Sequence, residues 1–150
     1  MQLISTGAQY AVTSVILLAR EGKDRAVGAA KLAHILNAPM AYLSQTLAKL
    51  IPSGIVGTSR GKSGGVYLAK DPEDISMIDI IRAIDGDSLF TECVMGMPGC
   101  SEKDTEKCPF HQSWGQIREG ILKWLTDTRL SQILDHADEK WFENHMKFIN

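Results

Sequence analysis

The chain has 150 residues, 44% of them hydrophobic and 23% charged, which bounds it to one soluble globular domain, or a small domain with an extension, large enough to bury a core. No apolar run reaches membrane-spanning length, and no basic stretch leads an apolar segment at the start, so the sequence predicts neither a membrane span nor a signal peptide and places the protein in the cytoplasm, where thiols stay reduced. The net charge of −2 conceals a polarity, because residues 1–70 carry eight Lys/Arg against Glu21 and Asp24 while residues 71–150 carry eight against sixteen Asp/Glu; the basic first half suits a polyanion, and the acidic second half excludes whole-protein coating of nucleic acid.

Thr6 to Arg20 sets Ala8, Ala11, Val12, Val15, Ile16 and Leu18-Ala19 at helical spacing, with Ser5 or Thr6 available as the N-cap. Gly22-Lys23-Asp24 breaks the pattern. A second, short helix is predicted from about Gly28 to Leu36, buried through Ala30, Leu32, Ala33, Ile35 and Leu36. Asn37-Ala38-Pro39 reads as a turn, since Asn tolerates left-handed backbone and Pro39 pre-sets the next helix. That helix, Met40 to Leu50, turns Leu43, Leu47 and Leu50 inward and Tyr42, Gln45, Thr46 and Lys49 outward.

Two helices about a short turn, the second with a polar to basic outer face, form a helix-turn-helix pattern. Ile55 to Ser59 and Val66 to Ala69 are β-branched or aromatic-containing runs joined by Arg60-Gly61-Lys62-Ser63-Gly64-Gly65. They predict a β-hairpin with a basic, glycine-rich tip, the wing of a winged helix. Its glycines allow close approach to a backbone, and Arg60 and Lys62 bring charge to phosphates or a minor groove. Ser63 shares that tip; the Walker spacing of a phosphate-binding loop is absent around it, and it counts here as a candidate DNA contact.

Asp71-Pro72 closes the wing, and Ile75 to Ile84 predicts an apolar core helix with Asp74 as its cap. A loop-like segment follows, then from Pro109 a helix whose Trp114, Ile117, Ile121, Leu122, Trp124 and Leu125 make a face broad enough for more than one neighbour. Such a face suits dimerisation, because winged-helix readers of palindromic sites act as two-fold dimers. Leu130 to Ala137 is the last helix expected, and Asp138 to Asn150 a tail with Trp141, Phe142 and Phe148 that either docks or frays. The fold expected is mainly α with a small β-hairpin: a winged helix-turn-helix over residues 1–72, then a compact unit over residues 73–150 holding a connecting helix, a ligand loop and the long dimerisation helix.

All three cysteines, Cys93, Cys100 and Cys108, lie within sixteen residues, and His111 follows three positions after the last. Three thiolates and an imidazole make a metal or iron–sulfur site the leading expectation. With Pro109 opening a helix, Cys108 and His111 would share one face. Tight C-x2-C pairs are absent, which leans towards an iron–sulfur cluster while a structural zinc site stays open. No nucleophile–base pairing stands out, so the chain is not expected to be an enzyme.

Taken together, these residues resemble the Rrf2-type bacterial transcription regulators. The resemblance spans nearly the whole chain: Leu3-Ile4-Ser5-Thr6 with Tyr10-Ala11, Tyr42-Leu43-Ser44-Gln45 through Leu50, the wing Arg60 to Leu68, Ile80 to Gly86, and the cysteine triad with His111. It implies a homodimer built on the long helix, and a [2Fe–2S] or [4Fe–4S] cluster on Cys93, Cys100 and Cys108. It further implies DNA contacts at Tyr42, Gln45 and Arg60. The fourth ligand in such regulators is a histidine at the position of His111 or an acidic residue of the partner's first helix; Gln9 before Tyr10 is not acidic, which favours His111. Two features depart from the pattern: the six- and seven-residue gaps between cysteines are long, and Ser44 stands where some members have glutamate. The function expected is a dimeric, sequence-specific regulator of double-stranded DNA controlled by its cluster. The alternatives are a regulator with structural zinc, a redox or cluster-carrier protein without DNA binding, and a cluster-free regulator whose cysteines react directly with oxidants.

Overall fold

The computed structural model describes residues 3–97 and 108–145. Helix α1 (Thr6–Glu21) is capped by Ser5, whose hydroxyl accepts the Ala8 N–H, and buries Ala8, Ala11, Val15 and Leu18. Helix α2 (Ala29–Ile35) buries Leu32 and Ala33. Ala30, expected inside, is exposed, because two positions from Leu32 is the opposite side of a helix. Asn37 takes a left-handed φ of 48° and turns the chain into α3 (Met40–Leu50).

Strands β1 (Val56–Ser59) and β2 (Gly65–Leu68) pair antiparallel, Val56 opposite Leu68 and Ser59 opposite Gly65. On the other edge of β2, Val27 and Val66 exchange both backbone hydrogen bonds, at 2.8 and 2.9 Å, so the wing is tied to the link between α1 and α2. That tie explains Gly65: a Cβ there would stand 2.2 Å from the Val27 carbonyl oxygen. A Cβ on Gly64 would likewise stand 2.5 Å from the Ser59 carbonyl oxygen. These two glycines therefore admit the chain's own backbone. Gly61, with φ 102° and open space around it, is the tip glycine free to face a ligand.

A 3-10 turn over Pro72–Asp74 precedes α4 (Met77–Asp85). The helix begins later than the spacing predicts, and its cap is Ser76 rather than Asp74. Ser76 Oγ accepts the Asp79 N–H at 3.4 Å while Asp79 Oδ2 accepts the Ser76 N–H at 3.0 Å, a reciprocal arrangement that satisfies two orphan donors. Ile75 is extended instead of helical, and its carbonyl accepts the Leu130 N–H at 2.9 Å. The single turn α5 (Ser88–Thr91) buries Phe90. After the cysteine segment come α6 (His111–Asp127), α7 (Leu130–His136) and α8 (Glu139–His145). The tail docks as far as it is described: Phe142 is buried, the Arg20 guanidinium lies 4.4 Å from its ring centroid, and Arg20 pairs with Glu139. Phe148 lies outside the described residues.

The result is a mainly helical winged helix-turn-helix. Helix α1 is its shared member, packing against α3, α4 and α7, and one hydrophobic core runs from α1 through the wing to Leu125, Leu130 and Phe142. Among the described residues no helix is long and apolar enough to cross a membrane.

Candidate functional site

The first surface to consider is α3 with the wing. Leu43, Thr46, Leu47 and Leu50 form the buried stripe of α3 at i, i+3, i+4 and i+7. Gln45 and Lys49 are exposed on the other side, as are Arg60, Lys62 and Ser63 at the wing tip. Thr46 corrects the expectation. It is only 4% exposed, and its hydroxyl donates to the Tyr42 carbonyl at 2.9 Å, so the spacing overrides the polar residue type and removes Thr46 from the outward face. Tyr42 is 43% exposed, yet it is not directed only outward: its ring meets Tyr10 edge-on at 6.1 Å. Gly7 lies so close that a Cβ there would be 3.1 Å from the Tyr42 hydroxyl.

The second is the cysteine segment. Cys93 follows α5 and is half-buried; its carbonyl accepts the Gly96 N–H at 3.0 Å, starting a turn. Cys108 is half-buried just ahead of α6 and accepts the His111 N–H at 3.1 Å. Helix α6 begins at His111, two residues after Pro109. Cys108 therefore stands outside the helix, which corrects the expectation that it shares a helical face with His111. Cys100 lies outside the described residues. Cys93 and Cys108 are not in disulfides. Among the described residues no three His, Cys, Asp or Glu side chains converge closely enough to hold a metal ion. By chemistry the donors suit a soft or borderline ion or an iron–sulfur cluster, with Cys93 at one end of the segment and Cys108 and His111 at the other.

Both ends are anchored. Phe90, just before the segment, is buried under the Arg82 guanidinium, 5.1 Å from its ring centroid, and Arg82 is itself held by Asp87 at 2.8 Å. The Trp114 indole N–H donates to the Glu92 carbonyl at 3.3 Å, tying the first turn of α6 to the start of the segment. The tie between Trp114 and Glu92 borders an open cleft of about 800 Å³ lined by Ser5, Tyr42, Asp85 and Cys93 among others. The cleft brings Cys93, the start of α1 and Tyr42 of α3 together. The sequence does not announce Asp85 and Trp114 as parts of this arrangement, because no local pattern pairs Asp85 with Ser5 or Trp114 with Glu92.

Helix α6 leaves part of its apolar face uncovered. Leu125 is buried, whereas Ile117 is 57% and Trp124 61% exposed.

Comparison with known proteins agrees with the winged helix-turn-helix fold. Residues 4–136 match the Rrf2 family, described as an iron-dependent transcriptional regulator. The HTH-type transcriptional regulator IscR of Yersinia enterocolitica is 31% identical over 138 residues, covering 92% of this chain and 82% of that protein. Among solved structures, CymR, the global cysteine regulator of B. subtilis, superposes with a TM-score of 0.74 at 27% identity, covering 92% of this chain and all of that one. IscR of T. potens superposes with a TM-score of 0.70 at 28% identity, covering 91% of this chain and 89% of its own.

Proposed function

The chain belongs to the Rrf2 family of DNA-binding transcription regulators, and from that premise we propose that it is a homodimer whose operator affinity is set by an iron–sulfur cluster on Cys93, Cys100 and Cys108, with His111 as fourth ligand. The observation that supports the reading is the position of Cys93: it borders the same cleft as Ser5 at the start of α1 and Tyr42 on α3, with Trp114 of α6 on the cleft as well. A ligand group on the segment reaches, through Cys93, the parts that aim the recognition helix.

When bound, the cluster supplies a cross-link between thiolates that is sensitive to oxidants, nitric oxide and iron supply. The remaining work is done by the chain. Gln45 and Lys49 on α3 face the major groove, with Tyr42 at the edge of that surface. Arg60 and Lys62, with Ser63, hold phosphates or enter the minor groove from the wing. Ile117 and Trp124 seal the subunit interface along α6. Two recognition helices must then sit about 34 Å apart to meet successive major grooves. A small rotation at α6 upsets that spacing, and a coupling of ~1–3 kcal/mol changes operator affinity about 5- to 150-fold.

The test begins with an anaerobic absorption spectrum of freshly purified protein, with iron, sulfide and zinc assayed on the same sample. Affinity is then measured for the tightest duplex the protein selects from random-sequence DNA, before and after chelation. A coloured protein with matched iron and sulfide, and affinity that changes on chelation, supports the proposal. Stoichiometric zinc without colour replaces it with a structural site. Metal-free protein whose affinity follows thiol oxidation replaces it with a direct cysteine switch. The Cys100→Ala variant should fold and lose the cluster; full cluster retention would remove Cys100 from the ligand set.

A further inference from the structure

We propose that Asp85 and Ser5 form the positioning joint through which the cysteine segment sets the pose of recognition helix α3; the proposal rests on, and deepens, the cluster-controlled function above. Asp85 closes α4, and its carboxylate takes both polar hydrogens of Ser5. Oδ2 accepts the Ser5 N–H at 3.0 Å, and Oδ1 accepts the Ser5 hydroxyl. The same hydroxyl oxygen accepts the Ala8 N–H at 3.0 Å and so caps α1. The Asp85 carbonyl in turn accepts the Ser88 hydroxyl at 3.4 Å, joining Asp85 to the turn α5 that leads into Cys93.

From Ser5 the contact passes to the DNA-reading helix within two turns of α1. Gly7 is wedged between Tyr42 and Ile84, with a would-be Cβ 3.1 Å from the Tyr42 hydroxyl and 3.3 Å from Ile84 Cγ2. Tyr10 holds the Tyr42 ring edge-on. The chain of contacts thus runs from Cys93 through α5, Asp85, Ser5 and α1 to Tyr42. Its charged member is the carboxylate joint. Charge-assisted hydrogen bonds are strong at these lengths and fall away within about 1 Å of displacement. The joint also places negative charge at the positive end of α1, where the helix dipole favours it. Engaged, Asp85 locks the start of α1 and with it Tyr42. Released by a movement of α5, it leaves α1 without its charge partner and Tyr42 without a fixed backing.

The experiment compares wild type, Asp85→Ala, Ser5→Ala and Ser5→Thr as anaerobic holoproteins and after chelation, using the selected duplex as probe. Hydrogen exchange is followed at the Ala8 and Leu43 amides. In the wild type the ratio of affinities between the two states is about five-fold or more. In Asp85→Ala, with iron and sulfide content unchanged, it falls below about two-fold, and the Ala8 and Leu43 amides exchange faster. Ser5→Ala moves in the same direction, and Ser5→Thr, which keeps the hydroxyl, restores the wild-type ratio. Should Asp85→Ala fail to fold, the two Ser5 variants decide. A variant without the joint that keeps full cluster and the wild-type ratio overturns the proposal. If the wild type itself shows no difference between states, the cluster-controlled function fails. The joint is then judged alone: it stands if its loss weakens duplex binding at least about three-fold with faster exchange at Leu43, and falls if neither changes.

Discussion

Trp124→Ala is the sharpest test of the dimer. Trp124 is 61% exposed on α6, and a tryptophan side chain carries on the order of 200 Å². About 120 Å² per subunit is then open to water in the monomer and available to an interface. At ~25 cal/mol per Å² that is ~3 kcal/mol per subunit, or ~6 kcal/mol for a symmetric pair. If the partner covers half of that area, ~3 kcal/mol is lost on truncation, a rise in the dimer dissociation constant of about 100-fold. The same change costs the monomer little, because Ala is the best helix former and the side chain is mostly in water. Sedimentation velocity across a dilution series reads the constant. Its companion is the melting temperature, which should depend on protein concentration in wild type and not in a dissociated variant. An unchanged dissociation constant would place the interface elsewhere and refute the assignment of α6.

On the reading surface, Thr46→Val should leave affinity for the selected duplex within about two-fold, since Thr46 is buried, whereas Gln45→Ala should weaken it by about 1–3 kcal/mol and relax the sequence preference at one position; competition binding over single-base variants measures both. Replacing Arg60 or Lys62 with Ala should weaken binding to every duplex alike and reduce the salt slope by about one, with cluster content untouched. Gly65→Ala should cost at least about 2 kcal/mol in denaturant unfolding, because its Cβ would meet the Val27 carbonyl at 2.2 Å. An unaltered midpoint would show that the tie between Val27 and Val66 does not hold the wing.

The winged helix-turn-helix was legible because its elements announce themselves locally. Leu43, Leu47 and Leu50 repeat at helical spacing, Asn37 supplies a left-handed turn, and the two wing strands flank glycines. Thr46 went wrong where residue type was allowed to outweigh spacing, although position 46 belongs to the same stripe as Leu43 and Leu47. The start of α4 was misplaced because Asp74 and Ser76 are both acceptable caps by type. Only the reciprocal bond with Asp79 selects Ser76. The cysteine cluster was legible as chemistry, from donor types and spacing. The contacts around it were not, because Ser5 meets Asp85 and Glu92 meets Trp114 across long stretches of chain that no periodicity links.

The bond between Trp114 and Glu92 has a consequence for what happens when a ligand leaves. Bringing the ends of a flexible loop together costs entropy that grows with its length. In small zinc-binding modules the ion itself bears that cost, and the chain unfolds without it. Here the indole and the packed Phe90 already hold the two mouths of the segment, within a core that runs continuously from α1 to Phe142. A group held by Cys93 and Cys108 would therefore act between ends that the folded core already holds, and its loss would leave that core in place. Under the proposed function, loss and return of the ligand would then be local events in a protein that stays folded.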